Sequence, residues 1–140
     1  MSIHVDASVL VSLFSNDALS ARADAFLRAH PSILIVSDFA AAEFASAIAR
    51  RVRTRLLTAD DARAAFSTFD VWTARHTGWA QTTTTDVASA AGFLRRLELT
   101  LRAPDAINIA IAQRVDADLL TFDEQMAAGA RALGTSVLVG

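Results

Sequence analysis

Two aspartates in the last third of the chain stand where chemistry often occurs in α/β proteins. Asp105 follows Pro104, whose ring suits the first turn of a helix, and the largely apolar run 106–112 is typical of a buried helix. Asp123 follows the short apolar run 119–122, which predicts a central strand. Because ligands bind at the carboxyl ends of strands in open α/β sheets, we expect these two carboxylates to reach one place.

Two more acids have similar contexts. Asp6 follows the β-like run 3–5 and precedes an apolar helix, a position where aspartate is also a common N-cap. Glu43 lies on the predicted helix 39–52, and no basic residue stands three or four positions from it. This pattern favours a side chain that faces inward, where a carboxylate must be paired, protonated or metal-bound. A glutamate exposed on an alanine-rich surface is the alternative.

The four acids, Asp6, Glu43, Asp105 and Asp123, together predict a metal site. Carboxylates that converge at one sheet edge repel one another unless cations neutralise them, and hard oxygen ligands suit Mg²⁺ or Mn²⁺. Two such ions roughly 3.5–4 Å apart would activate a water and stabilise the leaving oxygen in phosphodiester hydrolysis. The three histidines are scattered along the sequence, which argues against zinc.

Four arginines close the helix that carries Glu43. They are Arg50, Arg51, Arg53 and Arg55. Cations at the end of a helix compensate its dipole, which is one explanation. The other is a patch that binds nucleic-acid phosphates, and the sequence alone leaves both open.

The elements that must position these residues alternate between short apolar strands and helices. Strands are predicted at 3–5, 33–36, 79–80, 119–122 and 135–139. Helices are predicted at 7–14, 18–29, 39–52, 58–76, 86–99, 104–115 and 124–133. We therefore expect a single α/β domain over residues 1–140, with three α/β/α layers and a mainly parallel sheet of about five strands.

Some local patterns give sharper predictions. Thr58 and Asp61 have the spacing of a capping box at the start of a helix. Gly134 is expected to end the last helix. Trp72 and Trp79 are both expected in the core rather than on a surface that stacks bases.

The composition narrows the class of protein. The net charge is −2, and there is no apolar run of the roughly 18 residues that a membrane helix needs, so we expect a soluble, cytoplasmic domain. The absence of cysteine excludes disulfides, thiolate metal sites and a cysteine nucleophile. Lysine is also absent, whereas phosphoaspartate enzymes and receiver domains use a lysine to hold the phosphoryl group. The five glycines show none of the spacings of nucleotide-binding loops.

Five short motifs follow one another along the chain. They are V-D-A-S-V-L at 5–10, A-A-E-F at 41–44, P-D-A-I at 104–107, A-D-L-L-T-F-D at 117–123 and A-R-A-L-G at 130–134. In this order and at this length, the sequence resembles the PIN-domain ribonucleases and, within them, the VapC toxins of type II toxin–antitoxin modules. The match covers almost the whole chain, although segment 53–101 carries little of the pattern.

This resemblance implies that the four acids form a site for Mg²⁺ or Mn²⁺ and that the protein cleaves RNA. Ser8 and Thr121 match the small hydroxyl positions beside that site, and Asn108 is a candidate contact for water or substrate. A homodimer is also implied, inhibited by a VapB-like antitoxin whose C-terminal segment enters the active-site groove. The alternative is a catalytically silent PIN-fold binding module, and the presence of all four acids counts against it.

Overall fold

A computed structural model describes residues 1–139 of the chain. Within them, five strands alternate with seven helices. The strands are β1 (Ser2–Val5), β2 (Ile33–Ser37), β3 (Thr77–Ala80), β4 (Asp118–Thr121) and β5 (Val137–Val139). The helices are α1 (Ala7–Phe14), α2 (Ser20–Ala29), α3 (Asp38–Arg53), α4 (Ala59–His76), α5 (Thr84–Leu94), α6 (Ala103–Arg114) and α7 (Glu124–Ala132).

The strands form one sheet in the order β3-β2-β1-β4-β5, and every neighbouring pair is parallel. The chain builds outward from β1 to β3 on one side, and then returns to add β4 and β5 on the other. The boundary between β1 and β4 is therefore the topological switch point of the sheet, where α/β proteins bind ligands. Val5 pairs with Leu120 at this boundary, and Asp6 N donates to Leu120 O at 3.0 Å, so residues 6 and 121 leave the sheet side by side.

Two apolar cores cover the two faces of the sheet. One unites the sheet with α1, α3 and α4, and it includes Phe44 and Leu120. The other unites the sheet with α6 and α7, and it includes Ile109 and Leu119. Because Leu119 and Leu120 are consecutive strand residues, they point to opposite faces and each enters one core. This arrangement confirms the three-layer α/β/α fold and the parallel sheet of five strands.

Most of the local predictions are confirmed. Thr58 Oγ1 accepts a hydrogen bond from Asp61 N at 3.0 Å, and Thr58 N donates one to the Asp61 carboxylate. These two hydrogen bonds complete the capping box. Gly134 ends α7 with φ of 83°, a conformation that favours glycine. Trp72 packs in the first core, with its ring 5.2 Å from that of Phe14.

Two local predictions are wrong. Trp79 lies on the edge strand β3 and is 53% exposed, so it is not a core residue. The helix predicted over 86–99 ends at Leu94, because the chain turns at Leu97, whose φ is 70°. No helix among the described residues is long and apolar enough to cross a membrane.

Candidate active site at the carboxyl ends of the central strands

Asp6 lies at the switch point, in the turn from β1 into α1, and its side chain is buried. Its Oδ2 accepts hydrogen bonds from Ser8 Oγ at 2.6 Å and from Thr121 Oγ1 at 2.8 Å. Burial raises the pKa of this carboxyl, and the two hydroxyls oppose that shift because they stabilise the charged form. Ser8 and Thr121 therefore hold the carboxylate of Asp6 in one orientation.

Glu43 projects from the second turn of α3 and is half-buried. Its Oε1 accepts a hydrogen bond from Asn108 Nδ2 at 2.7 Å. Burial, together with the negative charges of Asp6 and Asp105, raises the pKa of Glu43 to about 7, while Asn108 and Arg102 oppose the shift. The inward-facing orientation expected from the sequence is thus the one that the structure has.

Asp105 is the third residue of α6, and only 6% of it is exposed. Its Oδ2 accepts a hydrogen bond from Arg102 N at 3.1 Å, which ties the carboxylate to the start of the helix. Within the described residues, its Oδ1 accepts no hydrogen bond. Asp105 therefore combines a structural role at the helix terminus with one oxygen that is free for a ligand.

Asp123 is engaged differently from the other three acids. It is the N-cap of α7, and its Oδ1 accepts hydrogen bonds from Gln125 N at 3.0 Å and Met126 N at 3.1 Å. Its own N–H donates to Thr121 Oγ1 at 2.9 Å, so the hydroxyl that binds Asp6 also fixes the backbone of Asp123. The charges of Asp6 and Asp105 thus act on Glu43. Asp123 is linked to these three acids through its hydrogen bond to Thr121.

The residues around these acids fit a hard divalent cation, although they do not form a complete set of metal ligands. Among the described residues, no group of three acids or histidines is close enough to hold a metal ion without movement. The donors are nevertheless all oxygens, and Asn108 Oδ1 is buried without a hydrogen-bond partner in the described part of the chain. A cation would satisfy such an oxygen, and it would stabilise the ionised forms of Asp6, whose pKa is raised by burial, and of Glu43, whose pKa is raised by burial and by the charges of Asp6 and Asp105.

A groove of about 870 Å³ runs from Glu43 along α3. Arginines line it, namely Arg50, Arg51, Arg53 and Arg102. The four arginines predicted from the sequence do not all behave alike, because Arg51 donates to Ser15 Oγ at 2.7 Å and to Asp17 Oδ2 at 3.3 Å. It holds the α1–α2 connection against α3. Arg50 and Arg53 make no salt bridge with the described residues, and Arg55 is not part of the groove lining.

A family model described as PIN domain matches residues 3–132. The chain belongs to the PIN domain family. The resemblance seen in the motifs is thereby confirmed at the level of the family, and the fold described above is that of a PIN domain.

Solved structures of the same fold include several toxins and toxin–antitoxin complexes. VapC20 of Mycobacterium tuberculosis, a sarcin-ricin loop cleaving toxin, has a TM-score of 0.74 and 19% identity, over 90% of this chain and 93% of that one. VapBC2 of Rickettsia felis, bound to a DNA fragment from its promoter, has a TM-score of 0.73 and 13% identity, over 100% and 99%. A toxin–antitoxin complex of Klebsiella pneumoniae has a TM-score of 0.65 and 20% identity, over 91% of each chain. Curated protein sequences gave no match.

Sequence reasoning missed one member of this PIN domain's site. Arg102 lines the groove and its charge lowers the pKa of Glu43, against the effect of burial. The signal was present in the sequence, because Arg102 lies only three positions before Asp105, and a residue just before a helix start lies near the first-turn side chains.

Proposed function

We propose that this PIN domain is a Mg²⁺- or Mn²⁺-dependent endoribonuclease that acts in the cytoplasm as the toxin of a type II toxin–antitoxin module. The observation that supports the proposal is that the negative charges of Asp6 and Asp105 act on Glu43 near the switch point of the sheet. Without a bound cation, repulsion among these carboxylates would destabilise the fold, and nothing would offset that cost. The toxins and toxin–antitoxin complexes among structures of the same fold support the biological role.

The four acids, Asp6, Glu43, Asp105 and Asp123, are the residues that would hold the cation. When bound, Mg²⁺ or Mn²⁺ supplies a Lewis acid for the phosphoryl oxygens and a water of lowered pKa. In the reaction, water adds to phosphorus and one bridging P–O bond of the RNA breaks.

The other polar residues of the site orient these carboxylates. Ser8 and Thr121 fix Asp6 through two hydrogen bonds to one oxygen, and Asn108 fixes Glu43 through one. Asn108 Nδ2 also donates to Pro104 O at 2.9 Å, so the side chain that holds Glu43 is itself anchored at the start of α6. This support limits the reorganisation that would otherwise accompany the reaction.

The groove beside Glu43 suits the backbone of the RNA. Arg50, Arg53 and Arg102 present guanidinium groups along it, and guanidinium binds phosphate through paired N–H donors. Arg51 contributes indirectly, because its pairing with Asp17 fixes the wall of the groove.

The same groove is where we propose that a VapB-like antitoxin binds. An amphipathic segment could cover the apolar parts of the lining, and a basic side chain could pair with the acids. We also propose that the toxin is a homodimer.

The decisive experiment compares Asp105→Asn with Asp116→Asn. Asp116 lies just beyond the opposite end of α6, is exposed, and has φ of 53°, which asparagine tolerates, so its variant removes an equal charge away from the site. Asp105→Asn should reduce Mn²⁺-dependent RNA cleavage by about a hundredfold or more and should diminish the rise in melting temperature caused by Mn²⁺. With chelator present, the same variant should be at least as stable as the wild type, because it relieves repulsion.

A catalytically silent binding module predicts different results. It would show no rise in melting temperature with Mn²⁺ in the wild type, and Asp105→Asn would then resemble Asp116→Asn in every assay. A cleavage activity that survives in Asp105→Asn would refute the assignment of the metal site.

A further inference from the structure

Arg22 lies on the exposed side of α2, and its Cζ is 5.2 Å from the centroid of the Phe122 ring. Phe122 is the residue between Thr121 and Asp123, so this contact reaches the margin of the acidic site from a helix that carries none of the acids. A cation over an aromatic ring at this distance is attracted by the negative face of the ring.

The position of Phe122 is set by the hydrogen bonds of the site itself. Phe122 N donates to Ser8 Oγ at 3.1 Å, and Ser8 Oγ donates to Asp6 Oδ2 at 2.6 Å. A short chain of contacts therefore links the carboxylate of Asp6 to the backbone of Phe122, and the ring of Phe122 to the guanidinium of Arg22.

Arg22 has its charge available for a ligand. It forms no salt bridge with any described residue, whereas Arg51 and Arg114 do. Contact with an aromatic ring orders the guanidinium and leaves its N–H donors free for hydrogen bonds. Arg22 is also not among the residues that line the groove along α3, so it belongs to a separate part of the surface.

We infer that Arg22 is a phosphate-positioning residue of the proposed ribonuclease, held by Phe122 at the Asp123 side of the acidic site, where it binds an RNA phosphate that the arginines of the groove do not reach. This inference rests on the proposed function. It adds a cationic contact on a second surface, apart from the groove arginines, so that the RNA would be held on both sides of the acids.

Arg28 provides a matched control, because it lies on the same helix, is exposed, forms no salt bridge with the described residues and carries the same charge. The probe is a fluorescent single-stranded RNA of mixed sequence, measured for binding with chelator and for cleavage with Mn²⁺. Arg22→Gln should weaken binding and raise KM by about threefold to tenfold, with kcat nearly unchanged. The slope of log affinity against log salt should become shallower by about 0.7, the value for one lost contact to a single strand. Arg28→Gln should leave the affinity, the KM and the salt slope unchanged.

The role of the aromatic ring is tested with Phe122→Leu, which keeps an apolar side chain and removes the ring. It should weaken RNA binding nearly as much as Arg22→Gln, and the double variant should be little worse than either single one, because the two residues act as a unit. Melting temperatures with chelator show whether each variant remains folded at the assay temperature. Arg22→Lys keeps the charge without the planar group and should give an intermediate affinity.

The outcomes separate this inference from the proposed function. If the wild type and Arg28→Gln cleave RNA while Arg22→Gln matches them in KM and salt slope, the role of Arg22 is refuted and the nuclease assignment stands. Equal effects of Arg22→Gln and Arg28→Gln would likewise reduce Arg22 to general surface charge. If the wild type neither binds nor cleaves RNA, the proposed function fails, and the inference fails with it.

Discussion

Glu43 is a residue of the proposed site whose ionisation the fold disturbs. Burial and the charges of Asp6 and Asp105 raise its pKa to about 7, from 4.5. At pH values between 4.5 and 7, Glu43 therefore keeps a proton in the folded protein that it largely loses in the unfolded chain. The stability associated with this proton is fully present below about pH 4.5 and is lost as the pH rises through 7.

This titration predicts that Glu43→Gln stabilises the metal-free protein by an amount that grows as the pH rises from 4.5 to 7 and is constant above that. Near pH 8, the variant should unfold with a free energy about 1–2 kcal/mol higher than that of the wild type, a figure reduced from the full linkage value because Glu43 is partly exposed. Near pH 4.5 the difference should vanish. Urea unfolding at both pH values, with chelator, measures it.

Glu98→Gln is the control for that experiment. Glu98 is exposed and, among the described residues, pairs only with Arg96, two positions earlier, so its loss should change stability little at either pH. An advantage of Glu43→Gln that is equal at both pH values would show that the glutamine side chain packs better, and it would contradict the shifted pKa.

At the scale of single residues, the sequence predicted four acids for the site but not the hydrogen bonds that each one makes. The spacing around Glu43 indicated an inward-facing side chain because nearby residue types are visible in a sequence. The engagement of Asp123 as an N-cap depends on the path of the chain after β4, which spacing does not determine. The environment of His4 was likewise not predictable from spacing. Neither of its ring nitrogens has a hydrogen-bond partner among the described residues, and burial lowers its pKa to about 4.

At the scale of elements, an ion pair between Arg114 and a buried carboxylate joins α6 to α5 and to the chain just after the edge strand β3. Arg114, the last residue of α6, donates to both carboxylate oxygens of Asp86 in α5, at 2.8 and 3.1 Å, and to Gln81 O at 2.7 Å. The side chain of Asp86 is only 1% exposed. Burial opposes ionisation of Asp86, but the hydrogen bonds and charge of Arg114, with those of Thr83, hold the pKa of this carboxyl below its usual value.

Arg114→Gln should therefore destabilise the protein strongly, by about 2–4 kcal/mol, since it leaves a buried carboxylate without its cation. Arg63 offers the matched comparison. It pairs with Asp60 at 3.1 Å on the surface, where the two side chains are 74% and 97% exposed, and Arg63→Gln should have no measurable effect. Denaturation of both variants near pH 7 checks the prediction, and equal stabilities would contradict it.

The limits of sequence prediction at this scale have a common physical cause. Helix starts were found because their signals are local, as with the Thr58 capping box and Pro104. The end of α5 was misjudged because the chain turns away after Leu94, and no glycine or proline marks the turn. Trp79 was placed in the core because a large apolar residue is usually buried, but β3 is the edge strand and burial there depends on strand order.

At the scale of the whole molecule, the sequence of alternating elements was enough to predict the layers, since parallel strands linked by helices need helices on both faces. The order of the strands supplies what that pattern leaves open. Only with β1 next to β4 do Asp6 and Thr121 meet, and with them the hydrogen bonds that orient the site. The total charge of −2 is likewise uninformative, whereas the distribution of charge places the carboxylate of Glu43 at one end of a groove that arginines line.

This distribution predicts how an antitoxin would inhibit the protein. A partner that fills the groove must neutralise the acids, so its basic side chain and the cation would compete for the same carboxylates. Co-expression with the product of a small reading frame adjacent to the gene for this protein should give a complex without nuclease activity. In that complex, Mn²⁺ should no longer raise the melting temperature, although we expect it to do so for the protein alone.

Asp105→Asn again provides the control for the complex, because we expect it to weaken Mn²⁺ binding without removing the groove. It should still bind the partner, with an affinity that falls less than its response to Mn²⁺. An inactive complex that responds to Mn²⁺ as fully as the free toxin would show that the partner blocks the path of the RNA and leaves the acids free. That result would contradict competition at the carboxylates while preserving the toxin–antitoxin assignment.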